Sequence, residues 1–439
     1  MKYPLDIIRL LSVCIFFFPL VLHSQNILLK SDHYFDSEKG VFGSDIEVLI
    51  RNKQILAVGK NLEYETGKTT IIDLGNVTLL PGLIDSHTHI LIEEDLHPGY
   101  TGFGETVVKN VIAKSDTQRA LEGAFRAKSY LHEGFTAIRD LGNSGLYADV
   151  DLRNAIDNNL IEGPRLFVSG PGIAATGGQV NGTSFHSNKI ITNKDYQVIT
   201  GEQEAINAVR DHILMRVDVI KVYADNIPNR TTLSINELKT IVNEAKRHDK
   251  KVTAHAITNQ AVWNAVKAGV NSIEHAYVIS DTTLALVKKN KITLIPTYSN
   301  KELSHELFKK SGIIDSIRRN RIVNRSADRQ QKQLLRLYKS GVKLAYGSDF
   351  YSKTSFSRGE NAKKSIYAWL EAGVPIEKVL QYATINAAEQ LTRRKILGVL
   401  KKGFLADIIA VEGDLSKDEN ALEKVVFVMK DGKIFKNKQ

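Results

Sequence analysis

Between Leu83 and Asp349, short apolar runs of four to seven residues alternate with helical stretches about eight times. The runs are Leu83 to His89, Thr136 to Asp140, Leu166 to Ser169, Val219 to Tyr223, Val252 to His255, Ser272 to His275, Thr293 to Pro296 and Leu344 to Asp349. Between them lie amphipathic segments such as Gln118 to Leu131, Glu202 to Met215, Ile235 to Arg247 with Ser234 as its N-cap, and Asn259 to Ala268. Eight β–α units predict an α/β protein built on a (β/α)8 TIM barrel rather than an open sheet. Leu303 to Tyr338, rich in Lys, Arg and Gln, reads as one long helix covering and gating the barrel mouth.

The flanks have another rhythm. Ile27-Leu28-Leu29, Ile46 to Ile50, Ile55 to Gly59 and Thr70 to Asp73 are β-like runs separated by turn residues, and the pattern returns in Asp407 to Val411 and Val425 to Ile434. Both ends therefore predict one small β-sandwich domain, divided between residues 25–80 and 399–439 around a barrel of residues 81–398.

Lys2 and Arg9 precede an apolar stretch from Leu10 to Leu22, and Ser24 supplies a small residue at a cleavage point. Residues 1–24 read as a signal peptide, which predicts an exported, periplasmic or secreted protein beginning near Gln25. That stretch is too short for a bilayer core of ~30 Å at ~1.5 Å per residue, and Pro19 interrupts it. No stable membrane insertion is expected after processing.

The single cysteine, Cys14, falls inside this stretch, so the processed chain would have neither a disulfide framework nor a thiolate metal site. Any metal must be held by His, Asp, Glu or Lys. The net charge of +10 is scattered, as in Arg318-Arg319, Arg393-Arg394-Lys395 and Lys401-Lys402, and no nucleic-acid-binding motif accompanies it. Nucleic acid is excluded as a partner on that ground. A small molecule is expected, and a homo-oligomer is left open.

A TIM barrel carries its chemistry at the C-terminal ends of its strands, and the ionisable residues fall there. His87 and His89 close the first run, Lys221 lies in the fourth, and His255, His275 and Asp349 end the fifth, sixth and eighth. Side chains alternate along a strand, so the His-x-His pair points both imidazoles to one side, where they can grip one ion. Taken singly, His255 and His275 could be satisfied core histidines, Lys221 a snorkelling strand-end lysine and Asp349 a cap.

Pro81-Gly82-Leu83-Ile84-Asp85-Ser86-His87-Thr88-His89, Ile220-Lys221-Val222, Thr253-Ala254-His255, Ile273-Glu274-His275 and Gly347-Ser348-Asp349 carry a resemblance. With Ala383 to Ala388 and Gly403 to Asp407, the chain resembles the metal-dependent amidohydrolase superfamily. Within it, the chain looks like the imidazolonepropionase-related branch that includes Xaa-Pro dipeptidases and ochratoxin-hydrolysing amidases. The resemblance implies a binuclear site with two divalent ions, best suited by zinc. His87, His89 and Asp349 would hold one ion and His255 and His275 the other. Lys221, carboxylated by carbon dioxide, would bridge them. It also implies an amide-cleaving hydrolase in which a metal-bridging hydroxide attacks and Asp349 acts as general base and then acid. The expected substrate is an Xaa-Pro-like dipeptide or an N-acyl amino acid.

Two alternatives stay open: a mononuclear hydrolase or deaminase of cyclic amides or amidines, in which Lys221 is no ligand, and a catalytically dead exported binding protein. Tyr223, two residues after Lys221, is a candidate oxyanion donor or a packed barrel tyrosine. Relatives have Gly-Gly-His in the loop after the third strand, whereas this chain has Gln179. His186, seven residues on, either substitutes or lies on the surface. Arg230 and Arg358 are the candidate partners of a substrate carboxylate, and Arg139-Asp140 reads as structural, in a buried or rim ion pair.

Overall fold

The computed structural model describes residues 26–227, 229–391 and 396–438. The expected signal peptide with Cys14, and the Arg393-Arg394-Lys395 cluster, lie outside them. The eight barrel strands are Leu83–Thr88, Phe135–Asp140, Arg165–Val168, Val219–Tyr223, Lys251–Ala256, Ser272–His275, Thr293–Ile295 and Lys343–Leu344. The first three pair in parallel. The other five run in order through a second parallel sheet, edged by the short strands Gly172–Ala174 and Tyr196–Val198. Three backbone contacts join the sheets into a ring. Asp218 N–H donates to the Val168 carbonyl at 2.8 Å, Ser86 N–H to that of Tyr346 at 3.1 Å, and Asp349 N–H to that of His87 at 2.8 Å. The barrel is thus a closed α/β ring whose C-terminal strand ends face one mouth.

Local signals placed the helices well. Ile235–Arg247 starts on Ser234, whose hydroxyl accepts from Glu237 N–H in a reciprocal capping box. Asn259–Ala268 matches its expected span, and Asp116–His132 and Glu202–Leu214 nearly so.

Two expectations are corrected. The expected long helix from Leu303 to Tyr338 is two helices, Lys301–Lys310 and Ser316–Ser340. Gly312 breaks them in a left-handed conformation (φ 96°), and Asp315 caps the second by accepting from Arg318 N–H at 2.6 Å. The eighth strand keeps its ladder only at Lys343–Leu344. Beyond it, the backbone of Gly347 is pressed against Ile295 and His87 so closely that a Cβ would lie 2.6–3.1 Å from their atoms. Asp349 follows at φ 50°. That bend trades strand pairing for the placement of one carboxylate over the first strand.

The chain ends meet. Val77–Pro81 pairs antiparallel with Ile408–Glu412, within an eight-stranded sheet of five N-terminal and three C-terminal strands. The expected run Val425 to Ile434 is two strands, because Asp431 and Gly432 both adopt positive φ (52° and 72°) and turn the chain tightly. One set of buried side chains, including Leu29, Val48, Leu79 and Phe427, forms this sheet's own core. Another, including Phe35, Leu80, Ile409 and Val428, joins the barrel's core, which locks sheet and barrel together.

Candidate metal centre

His87 and His89 come from the first strand's end, and their Nε2 atoms lie 3.3 Å apart. Asp349 Oδ1 is 3.5 Å from the first and 3.3 Å from the second. His275 Nδ1 is 3.7 Å from Asp349 Oδ2. One ligand atom each of His87, His275 and Asp349 falls within 4.8 Å of the others.

The protons identify what this cluster is suited to hold. His87 Nδ1 faces Glu274 Oε2 at 2.8 Å, and His89 Nδ1 faces the Gly142 carbonyl at 2.8 Å. Both oxygens only accept, so both Nδ1 atoms carry the hydrogen and both Nε2 atoms present lone pairs. Asp349 Oδ1, buried and without a hydrogen-bond donor among the described residues, adds another lone pair to the same spot. Lone pairs so close repel unless a cation lies among them, and an all-nitrogen-and-oxygen set suits a divalent ion. The residues therefore fit a metal.

His275 and Asp349 both stand at positive φ, 71° and 50°. That is backbone strain which the surrounding structure must hold.

Burial pushes the imidazoles of His87, His255 and His275 well below the usual histidine range. Lys221 adds to this in all three, and His255 and His87 lead the charge effects on His275. Their rings are therefore neutral at physiological pH. Burial raises the Asp349 carboxyl, yet its neighbours His87, His89 and Lys221 outweigh that and hold the group below its ordinary value. Lys221, 1% exposed, is pushed down to about 8 by burial, opposed by the carboxylates of Glu274 and Asp349. Its amine is thus unusually able to lose a proton. His255 lies beside His275, ring centroids 4.5 Å apart. Its Nε2 is 3.5 Å from Asp225 and 3.3 Å from the amide nitrogen of Gln179.

The support around these groups was largely missed in the sequence. Glu274, fully buried, takes His87 Nδ1–H, the Arg139 guanidinium at 2.9 Å and the Thr253 hydroxyl. Arg139 is therefore in the expected buried ion pair, with Glu274 as the partner. Asp85 accepts from Ser348 and from His87 N–H and so ties the first strand to the eighth. Arg119 donates to Asp195, which accepts from Asn143, and Asn143 accepts from Tyr223 at 3.2 Å. The same turn presents the Gly142 carbonyl to His89. Of these, Glu274 carried a readable signal, since it directly precedes His275.

Glu274→Gln is expected to weaken divalent-ion binding by about 10- to 100-fold, the usual cost of losing a ligand's orienting partner. It also leaves Arg139 buried and unpaired, at about 3 kcal/mol of stability. Chelator competition, with the unfolding midpoint measured alongside, checks this. Unchanged metal affinity would reduce Glu274 to a packing role.

The remaining candidates are not brought to the cluster in the expected ways. Tyr223, 2% exposed, does face the site, with its ring 5.2 Å from that of His255. Its hydroxyl donates to Asn143 Oδ1 at 3.2 Å, within the packed barrel wall. Gly172 makes room for this ring, since a Cβ there would lie 2.3 Å from it. His186 sits exposed in helix Phe185–Thr192 with its ring against Phe185. It does not substitute for the missing loop histidine; Gln179 itself reaches His255 from that position.

Arg358 is not a substrate anchor. It is 6% exposed at the start of helix Arg358–Glu371, donating to the carbonyls of His89, Ile92 and Tyr351. It braces the loops of the first and eighth strands. Arg230 is exposed in a tight turn at φ 60°, and no contact among the described residues ties it to the histidines.

The chain belongs to the amidohydrolase family, whose model matches residues 78–435. It is 27% identical to the ochratoxinase of Aspergillus niger over 382 residues, which are 82% of this chain and 75% of that one. An imidazolonepropionase of Thermoanaerobacter pseudethanolicus is 22% identical over 392 residues, 84% of each. A solved Xaa-Pro dipeptidase with methionine in its active site superposes with a TM-score of 0.79 at 28% identity, covering 94% of this chain and all of that one. The protein is accordingly a hydrolase acting on carbon–nitrogen bonds, of a generally metal-dependent family. Among the described residues, no helix is long and apolar enough to cross a membrane.

Proposed function

We propose that this protein is a binuclear metal-dependent hydrolase that cleaves the amide bond of an Xaa-Pro-like dipeptide or of an N-acyl amino acid with a small or cyclic C-terminal part. The observation that carries this reading is the meeting of proton-free lone pairs of His87, His89 and Asp349 beside a buried, readily deprotonated Lys221. His87, His89 and Asp349 would hold one ion, His255 and His275 the second, and the carbamate of Lys221 would lie between them, with zinc the best-suited metal. Such ions, when bound, polarise the scissile carbonyl and bring the pKa of water near neutrality. Asp349 accepts the proton released as water attacks and returns it to the departing nitrogen. Likeness to the Xaa-Pro dipeptidase and the ochratoxinase supports the amide class.

The mononuclear reading has one observation in its favour: the ligand atoms that come together, from His87, His89, His275 and Asp349, include none from His255. Metal counting separates the two, combined with a panel of dipeptides, N-acyl amino acids and cyclic amides. About two ions per chain and turnover of the linear amides is the expected result. One ion at saturation with unmodified Lys221 and turnover of cyclic amides alone would favour the alternative. No turnover of any amide by metal-loaded protein would sink both.

We place the mature chain in the periplasm or outside the cell, on the strength of the Leu10 to Leu22 stretch and Ser24. Protein from its native host should begin near Gln25. Intact Met1 in a cytosolic fraction would overturn this. The two terminal segments, 25–80 and 399–439, are read as one small β-sandwich domain, supported by apolar cores on both faces of their shared sheet.

A further inference from the structure

The space around the metal centre is lopsided. On the side of the third to fifth strands it is walled by Tyr223, Asp225 and His255, all nearly fully buried, with Gln179 drawn onto His255. On the side of the sixth and seventh strands the wall gives way to an open cleft of roughly 800 Å3. Its floor is continuous with the centre, because His275 Nδ1 and the Tyr277 hydroxyl meet the same Thr297 hydroxyl, at 2.8 and 2.7 Å. Tyr277 and Tyr298 lie nearly parallel there, ring centroids 5.1 Å apart. Leu96, from the first strand's loop, and Leu307 and Phe308, from helix Lys301–Lys310, complete an apolar lining. All five of these side chains are only half-buried. Arg329, Gln330 and Gln333 of the next helix also line the cleft.

Half-buried rings stacked beside a catalytic centre gain by covering with a flat apolar group. The cleft on the side of the third and fourth strands, of roughly 630 Å3, is lined mostly by polar groups such as Asn181, Asn188, Asn229 and Thr231 and offers no such stacked rings. The polar helix face leaves the far end of such a group hydrated.

We propose that this cleft is the subsite for the acyl half of the substrate, and that it selects a flat aromatic or branched apolar acyl group over a small one. This rests on the amide-hydrolase reading above and deepens it: the small half is the amino acid, and the bulk is on the acyl side.

The test uses the full-length, metal-loaded protein and N-acetyl, N-benzoyl and N-2-naphthoyl derivatives of one amino acid. A second series keeps N-acetyl fixed and enlarges the amino acid from alanine to phenylalanine to naphthylalanine. We expect kcat/KM to rise by roughly tenfold or more from acetyl to naphthoyl, and to fall along the second series. Phe308→Ala and, separately, Leu307→Ala should each cut the naphthoyl-to-acetyl ratio several-fold. Unfolding midpoints near that of the parent show that each variant is folded, and the series on the unaltered protein stands without them. A flat or falling acyl series, or a gain from bulk on the amino-acid half, would overturn the assignment while leaving amide hydrolysis intact. Hydrolysis of none of these compounds would instead count against the functional reading on which it rests.

Discussion

Asp349→Asn is expected to lower kcat by about 100-fold or more while most of the bound metal remains, because it removes a positioned proton carrier and little else. Asparagine has the same size and keeps an oxygen where Asp349 Oδ1 meets the Nε2 atoms of His87 and His89 at 3.5 and 3.3 Å. It also tolerates the left-handed backbone that this position requires, φ 50°. A change to alanine or glutamate would disturb the bend after Gly347 and confuse the reading. What asparagine cannot do is accept a proton.

In the folded protein the Asp349 carboxyl is held below its ordinary value despite burial, by its neighbours His87, His89 and Lys221. It is therefore ionised and ready as a base at neutral pH. KM should move much less than kcat, since substrate binding calls on other groups. Metal analysis and steady-state kinetics on one preparation decide the matter. Near-normal kcat with full metal would mean that the proton is carried by another group.

The barrel was legible because it is written in local alternation. Strands such as Val219–Tyr223 are uninterrupted apolar runs save for one lysine, and helices such as Ile235–Arg247 announce themselves with a cap and a clean stripe. The His-x-His pair was legible for the same reason, since period two fixes which side chains share a face. The eighth strand was not, because its course is set by the crowding of Gly347 against Ile295 and His87, residues far away in sequence.

The surrounding shell was hidden likewise. Glu274 touches His87 across 187 positions, and Asp195 reaches Asn143 across 52. Arg358 misled for the opposite reason: a loop arginine beside a site looks like a substrate anchor, but three backbone carbonyls already occupy it. Gln179 was visible only as a departure from the Gly-Gly-His of similar chains. Its contact with His255 gives that departure a physical consequence, since an amide that cannot take a positive charge stands where an imidazole would.

Lys221→Ala should do what Asp349→Asn does not: divalent-ion content and turnover should fall together. Lys221 is an expensive residue to bury, 1% exposed in the middle of the strand Val219–Tyr223, where desolvation pulls its pKa to about 8. A neutral amine there is nucleophilic toward carbon dioxide, and forming the carbamate releases one proton and leaves an anionic oxygen pair facing the histidines. Unmodified, the same side chain is a cation beside a cation site. The charge of Lys221 also depresses the pKa of His87, His255 and His275, as expected for a lysine close to all three.

Truncation to alanine deletes the proposed bridge and leaves a void that a short carboxylate can enter, so added acetate or propionate should restore part of both metal content and rate. Lys221→Met separates this role from packing. It fills the volume without a charge, so its metal-free form should be at least as stable as the metal-free parent, while metal binding should still fail. Lys221→Ala and Lys221→Met proteins that both keep full metal content, with no response to added carboxylate, would remove Lys221 from the ligand set and leave a one-ion site built on His87, His275 and Asp349.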